Sequence, residues 1–190
     1  MTGLKATTPV SCIILAGGEG LRAGGADKGL IHYKGKPLIQ HVIDRISDQT
    51  DEFIISANRN LDIYGQYTDK VFDDSFDNYK GPLAGIASCM SHCQYEWSLV
   101  VACDMPSLPD DLVARLSEKS QNKSICIATL NNRHQLAFLV KNDLSASITA
   151  QINNDQLKLI QWIESIPHVT VSFDDNPDAF LNLNTITDKN

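Results

Sequence analysis

The chain has 190 residues, a formal net charge of −7, 43% hydrophobic and 21% charged residues, the profile of one soluble enzyme domain. Its acidic balance argues against a nucleic-acid surface or an anionic-membrane anchor, and no apolar run approaches the roughly 20 residues of a spanning helix. The polar stretch 2–8 lacks a secretory apolar region, so the expected compartment is the cytoplasm.

Apolar residues 10–16 predict a first β-strand, which runs directly into Leu15-Ala16-Gly17-Gly18-Glu19-Gly20-Leu21-Arg22-Ala23-Gly24-Gly25-Ala26-Asp27-Lys28. Five glycines in this stretch are too many for a helix. They let backbone N–H groups approach an anion closely, and Arg22 and Lys28 add charge for phosphates. Residues 15–36 hold four basic residues against two acidic ones, a local +2 that leaves −9 for the remainder. A small positive island in a negative protein suits one polyanionic small molecule.

Residues 37–46 carry apolar side chains at 38, 39, 42, 43 and 46 behind a proline, which predicts an amphipathic helix. Short strands are expected at 53–57 and 70–73, and a helix of small residues at 83–93. On that helix Cys89, His92 and Cys93 would share a face, where they could ligate zinc or serve as packed thiols. The run 97–103 is the most strand-like of all and stops at Asp104. Beyond it, helices are expected at 109–119 and 157–166, strands at 125–130, 136–140 and 169–173, and a strand or extended segment at 179–183. Five cysteines without a CxxC pair predict reduced thiols. The alternation predicts a three-layer α/β/α domain over 1–190 with a mostly parallel twisted sheet: a nucleotide half to about residue 105, then a second-substrate half over 106–190.

Two familiar phosphate motifs do not apply. Gly18-x-Gly20-x-x-Ala23 fits the loose dinucleotide fingerprint, but Gly24-Gly25 breaks the helix that the motif requires, and the second strand ends in Ser56-Ala57-Asn58 without an acidic residue. The GxxxxGK[ST] pattern is absent. Asp104, just past the end of its strand, could hold Mg²⁺ beside substrate phosphates or cap a following helix. Asp74, in Asp73-Asp74-Ser75, reads by itself as a turn residue. Asn182 and Asn184 alternate, so an extended backbone would aim both to one side.

Leu15-Ala16-Gly17-Gly18, Arg22, Gly24-Gly25 and Asp27-Lys28 resemble the signature loop of Rossmann-like nucleotidyltransferases of the glycosyltransferase-A type. With Gly29-Leu30, Gly35-Lys36-Pro37-Leu38, Ala57-Asn58-Arg59, Asp73-Asp74, Gly81-Pro82-Leu83-Ala84-Gly85, Cys103-Asp104-Met105-Pro106 and Asn182-Leu183-Asn184-Thr185, the pattern is similar to that of the molybdenum cofactor guanylyltransferases. Departures are Ala23 for the usual Met, Ser56 for the usual Asn and His134-Gln135 for a His-Pro pair; His134 could contact a substrate phosphate or face solvent. The resemblance implies transfer of GMP from GTP to molybdopterin cofactor with release of pyrophosphate. It also implies Leu15, Ala16, Gly17, Gly18, Lys28, Ser56, Asp74, Gly81 and Asp104 as nucleotide-binding residues, with Lys28, Asp104 and Arg22 serving catalysis. Asp104 would hold Mg²⁺, and Asn182 and Asn184 would face the pterin. Transient contact with cofactor-supplying or molybdoenzyme proteins is expected, and contact with nucleic acid or membrane is not. The alternatives are a related enzyme using CTP or a sugar phosphate, and a non-catalytic nucleotide-binding regulator.

Overall fold

In the computed structural model, residues 8–18, 27–74, 76, 81–120 and 123–183 are described. The elements follow in order: β1 (Val10–Leu15), β2 (His32–Tyr33), β3 (Lys36–Pro37), α1 (Leu38–Ile46), β4 (Glu52–Ser56), α2 (Leu61–Tyr64), β5 (Val71–Phe72), α3 (Pro82–Met90), β6 (Trp97–Ala102), α4 (Leu112–Glu118), β7 (Ile125–Leu130), β8 (Arg133–Lys141), α5 (Ser145–Asn153), α6 (Leu159–Ser165) and β9 (His168–Ser172). A seven-stranded sheet has the order β5-β4-β1-β6-β8-β7-β9. Within this sheet only β8 runs against the rest, pairing antiparallel with both β6 and β7, while its other pairings are parallel.

Both faces of this sheet are covered, which is why its inner strands are continuous apolar runs. In β1, Cys12 and Ile14 enter one core with Ile39, Val42 and Ile46 of α1 and Leu112 and Leu116 of α4. Ile13 points the other way, into a core with Leu83 and Ile86 of α3, Ile148 of α5 and Trp162 of α6. The result is the expected three-layer α/β/α arrangement. All five apolar positions foreseen on α1 are buried.

Four local expectations need correction. The helix begun at Pro82 ends at Met90, so Cys89, His92 and Cys93 share no helical face. His92 instead stacks on Phe72, Cys89 is buried, and the Cys93 thiol lies between Ser98 and the Cys89 carbonyl. Residues 179–183 form turns and irregular chain rather than a strand. Helix α5 was not foreseen, because only Ile148 and Ile152 of its nine residues are buried and the apolar period is thin. The β2–β3 hairpin also went unread; it turns through Lys34 and Gly35, both at positive φ. All five cysteines are free thiols, and burial pushes Cys89 up to about 12 and Cys126 up to about 11. No helix among the described residues is long and apolar enough to cross a membrane.

From β1 the chain builds outward through β4 to β5, then crosses back to place β6 on the other side of β1. That reversal leaves a crevice at the C-terminal ends of β1 and β6, the place where open α/β sheets take ligands.

Candidate functional site

Around that crevice, strand exits carry the polar residues. The backbone leaves β1 pinned on both sides: Ala16 N–H donates to the Ser56 carbonyl (2.8 Å), and Cys103 N–H donates to the Leu15 carbonyl (3.1 Å). Gly17 and Gly18 follow, Gly18 exposed. Arg22 lies outside the described residues, as does Asn184.

The Asp27 carboxylate is gathered by three side chains of the segment after β4. The Tyr64 hydroxyl donates to one oxygen, Asn60 Nδ2 donates to the other at 2.9 Å, and Arg59 Nε lies 3.7 Å away. Arg59 Nη2 also donates to the Gly18 carbonyl (3.3 Å). Tyr64 itself is fully buried, and burial, with the neighbouring Cys103 and Asp27, raises its hydroxyl far above the usual range. A carboxylate so anchored sets the starting position of the one-turn 3₁₀ segment Lys28–Leu30.

Lys28 then reaches across the crevice. Its Nζ donates to Asp104 Oδ2 at 3.2 Å, although the two residues are 76 positions apart. Asp104 is 6% exposed, and its carbonyl accepts from Leu183 N–H at 3.2 Å. Leu183 is thereby held against this corner, with Asn182 exposed beside it. Asp104 therefore sits beyond β6 as expected, joined by two segments distant in sequence.

At the other end, Asp74 follows β5 and is half-buried. Burial first, and then Asp73, raise its carboxyl above the ordinary range, partly countered by a hydrogen bond from Asn58. Asn58 Nδ2 donates to Asp74 Oδ2 (2.8 Å), and Asp74 N–H donates back to Asn58 Oδ1 (2.8 Å). Gly81 caps α3 with φ 74° and ψ −164° ahead of Pro82, a backbone conformation open to glycine. Ser56, by contrast, is 2% exposed, and its hydroxyl faces Gly85 of α3 and lies near the Cys89 thiol.

Thus Lys28, Asp104 and the neighbourhood of Asn182 meet at one corner, and Gly17 and Asp74 meet at another. Asn58, Arg59 and Asp27 link these parts. The first two stand in the Ala57-Asn58-Arg59 block that carried no assigned role, and their position just past a strand end was the available signal.

An open sheet with one reversed strand, a glycine-rich exit from its first strand and a Lys–Asp pair across the crevice make up the site. The family model "MobA-like NTP transferase domain" matches residues 12–169. A molybdenum cofactor guanylyltransferase of Shewanella halifaxensis is 40% identical over 182 residues, covering 94% of this chain and 91% of that protein. One from Shewanella pealeana is 41% identical over 179 residues, 93% of this chain and 90% of that protein. The crystal structure of molybdopterin-guanine dinucleotide biosynthesis protein A from Archaeoglobus fulgidus shares the fold, with TM-score 0.77, 20% identity and coverage of 94% of each chain. The chain belongs to the molybdenum cofactor guanylyltransferase family.

Proposed function

We propose that this enzyme transfers GMP from GTP to molybdenum-molybdopterin cofactor, forming molybdopterin guanine dinucleotide cofactor and pyrophosphate. A terminal phosphate oxygen of the pterin attacks the α-phosphorus of GTP, a new P–O bond forms, and the α–β bridging bond breaks with its electron pair leaving on pyrophosphate. The nucleophile is already an anion, so no general base is required. What the site must supply is positive charge and alignment, because two anions have to meet.

The geometry that supports this reading best is the Lys28–Asp104 pair at 3.2 Å across the crevice. Lys28 is partly exposed, and Asp104 is held in place through its own backbone. We assign Lys28, with Arg22, to the triphosphate. Leu15, Ala16, Gly17 and Gly18 would line the nucleotide with backbone, Ser56 would support them from beneath, Gly81 would shape the base pocket, and the Asp74 carboxylate would accept from guanine N1–H and the 2-amino group. Asn182 and Asn184 are assigned to the pterin side.

Asp104 is also the residue that would hold Mg²⁺. Among the described residues no cluster of three or more His, Cys, Asp or Glu could hold a metal unaided. One hard carboxylate oxygen beside a phosphate-binding lysine instead suits a cation that takes its remaining ligands from phosphates and water. When bound, Mg²⁺ would neutralise charge developing on the phosphates. Hand-over of the product would bring the enzyme into transient contact with cofactor-supplying or molybdoenzyme proteins.

The test is titration of the purified protein with GTP, CTP and ATP in the presence of Mg²⁺, followed by assay for dinucleotide product. GTP is expected to bind and to react in preference to the others. Preference for CTP would overturn the guanine assignment, and binding without turnover would favour a regulator.

A further inference from the structure

Asn58 is contacted from both sides of its own strand. It follows β4, which lies between β1 and β5 in the sheet. Its Nδ2 donates to Asp74 Oδ2 at 2.8 Å, on the β5 side, and lies 3.4 Å from the Gly17 carbonyl on the β1 side. Its Oδ1 accepts the Asp74 backbone N–H at 2.8 Å. That last bond also fixes which amide atom is oxygen, since only oxygen can accept there.

An amide group has two N–H donors. Here one goes to a carboxylate and the other faces a backbone carbonyl, so the group has no donor left over for a nucleobase. Its geometry instead fixes its neighbours. Bonding one carboxylate oxygen while accepting the same residue's N–H restrains rotation of the Asp74 side chain and the path of its backbone together. The contact to Gly17 then sets that carboxylate relative to the exit of β1, where the glycine loop begins.

We infer that Asn58 is a positioning residue for nucleobase selectivity, holding the Asp74 carboxylate at a fixed orientation and distance from the Gly17 backbone. This rests on the assignment of Asp74 to guanine above. Guanine presents N1–H and a 2-amino group side by side, and a carboxylate reads both only if its two oxygens lie in the right plane. Adenine lacks that pair of donors, and hypoxanthine lacks the 2-amino group. A carboxylate free to rotate reads the difference poorly, because a mispointed acceptor leaves a half-buried group without its partner.

The experiment compares kcat and KM for GTP, inosine triphosphate and ATP in the natural enzyme, Asn58→Ala and Asn58→Asp. The aspartate keeps the side-chain size and the acceptor for the Asp74 N–H but removes both donors, so it carries the test if the alanine variant does not fold. The expected result is a rise of about tenfold in KM for GTP, with kcat within about twofold. The effect on inosine triphosphate and ATP is smaller, so the preference for GTP narrows. A purely structural Asn58 would lower all three nucleotides in parallel and leave the ratios unchanged, which would overturn the inference. If the natural enzyme itself does not discriminate among the three, the guanine assignment of Asp74 fails first, and this inference with it.

Discussion

Gly85 lies within α3, where a side chain normally helps: replacing a helical glycine by alanine gains about 1 kcal/mol. Here the added Cβ would sit 2.4 Å from Ser56 Oγ, 3.3 Å from Leu15 Cδ2 and 3.4 Å from Ser56 Cβ. The first distance is impossible, so the hydroxyl must rotate away. It is buried beside the Cys89 thiol, so rotation has little free space to use while the two other contacts stay tight. Overpacking of this kind costs about 1–3 kcal/mol. Set against the helical gain, Gly85→Ala is destabilised by about 1 kcal/mol, a fall in Tm of about 2–4 °C for a chain of this size. The double variant Gly85→Ala/Ser56→Ala removes the colliding oxygen and recovers the helical gain. The pair should therefore be more stable than the sum of the single effects by about 1–2 kcal/mol. Denaturant unfolding of the four proteins, followed by far-ultraviolet circular dichroism, measures this directly. A Gly85→Ala variant that melts higher than the natural protein, or single effects that add within about 0.5 kcal/mol, would refute the close-approach argument.

Lys28→Ala and Asp104→Ala should each reduce product formation by about 10²–10³-fold; unchanged turnover in either variant would remove its assigned role. Asp74→Asn should weaken discrimination for GTP and raise Tm at neutral pH. Burial raises the Asp74 carboxyl in the folded state, so its ionised form costs stability above that raised value. Lowering the pH through the window down to the ordinary carboxylate range protonates the native state first and relieves the cost. The stabilisation by Asp74→Asn should accordingly shrink as pH falls, a trend that melts at neutral and acidic pH would measure. In the natural enzyme KM for GTP should rise as pH drops through the same window, because a protonated Asp74 presents one acceptor fewer.

Much of this architecture could be read along the chain, because it depends on near neighbours. The buried positions of α1 recur at helical spacing, the inner strands are apolar on both faces, the glycine-rich stretch directly follows β1, and Asp104 follows shortly after β6. Where such local signals are thin, expectation and structure differ: α5 buries only two isoleucines, and α3 ends at Met90, before His92 and Cys93.

Tertiary structure alone decided what joins across the sheet. Strand order, the reversal of β8, the burial of Ser56 beneath Gly85 and the reach of Lys28 to Asp104 over 76 positions all depend on which strands lie beside one another. Side-chain periodicity dictates which face of an element turns inward. It does not say which neighbour that face will meet, and the contacts that align Asp27, Asn58 and Asp74 exist only once β1, β4 and β5 are placed in that order.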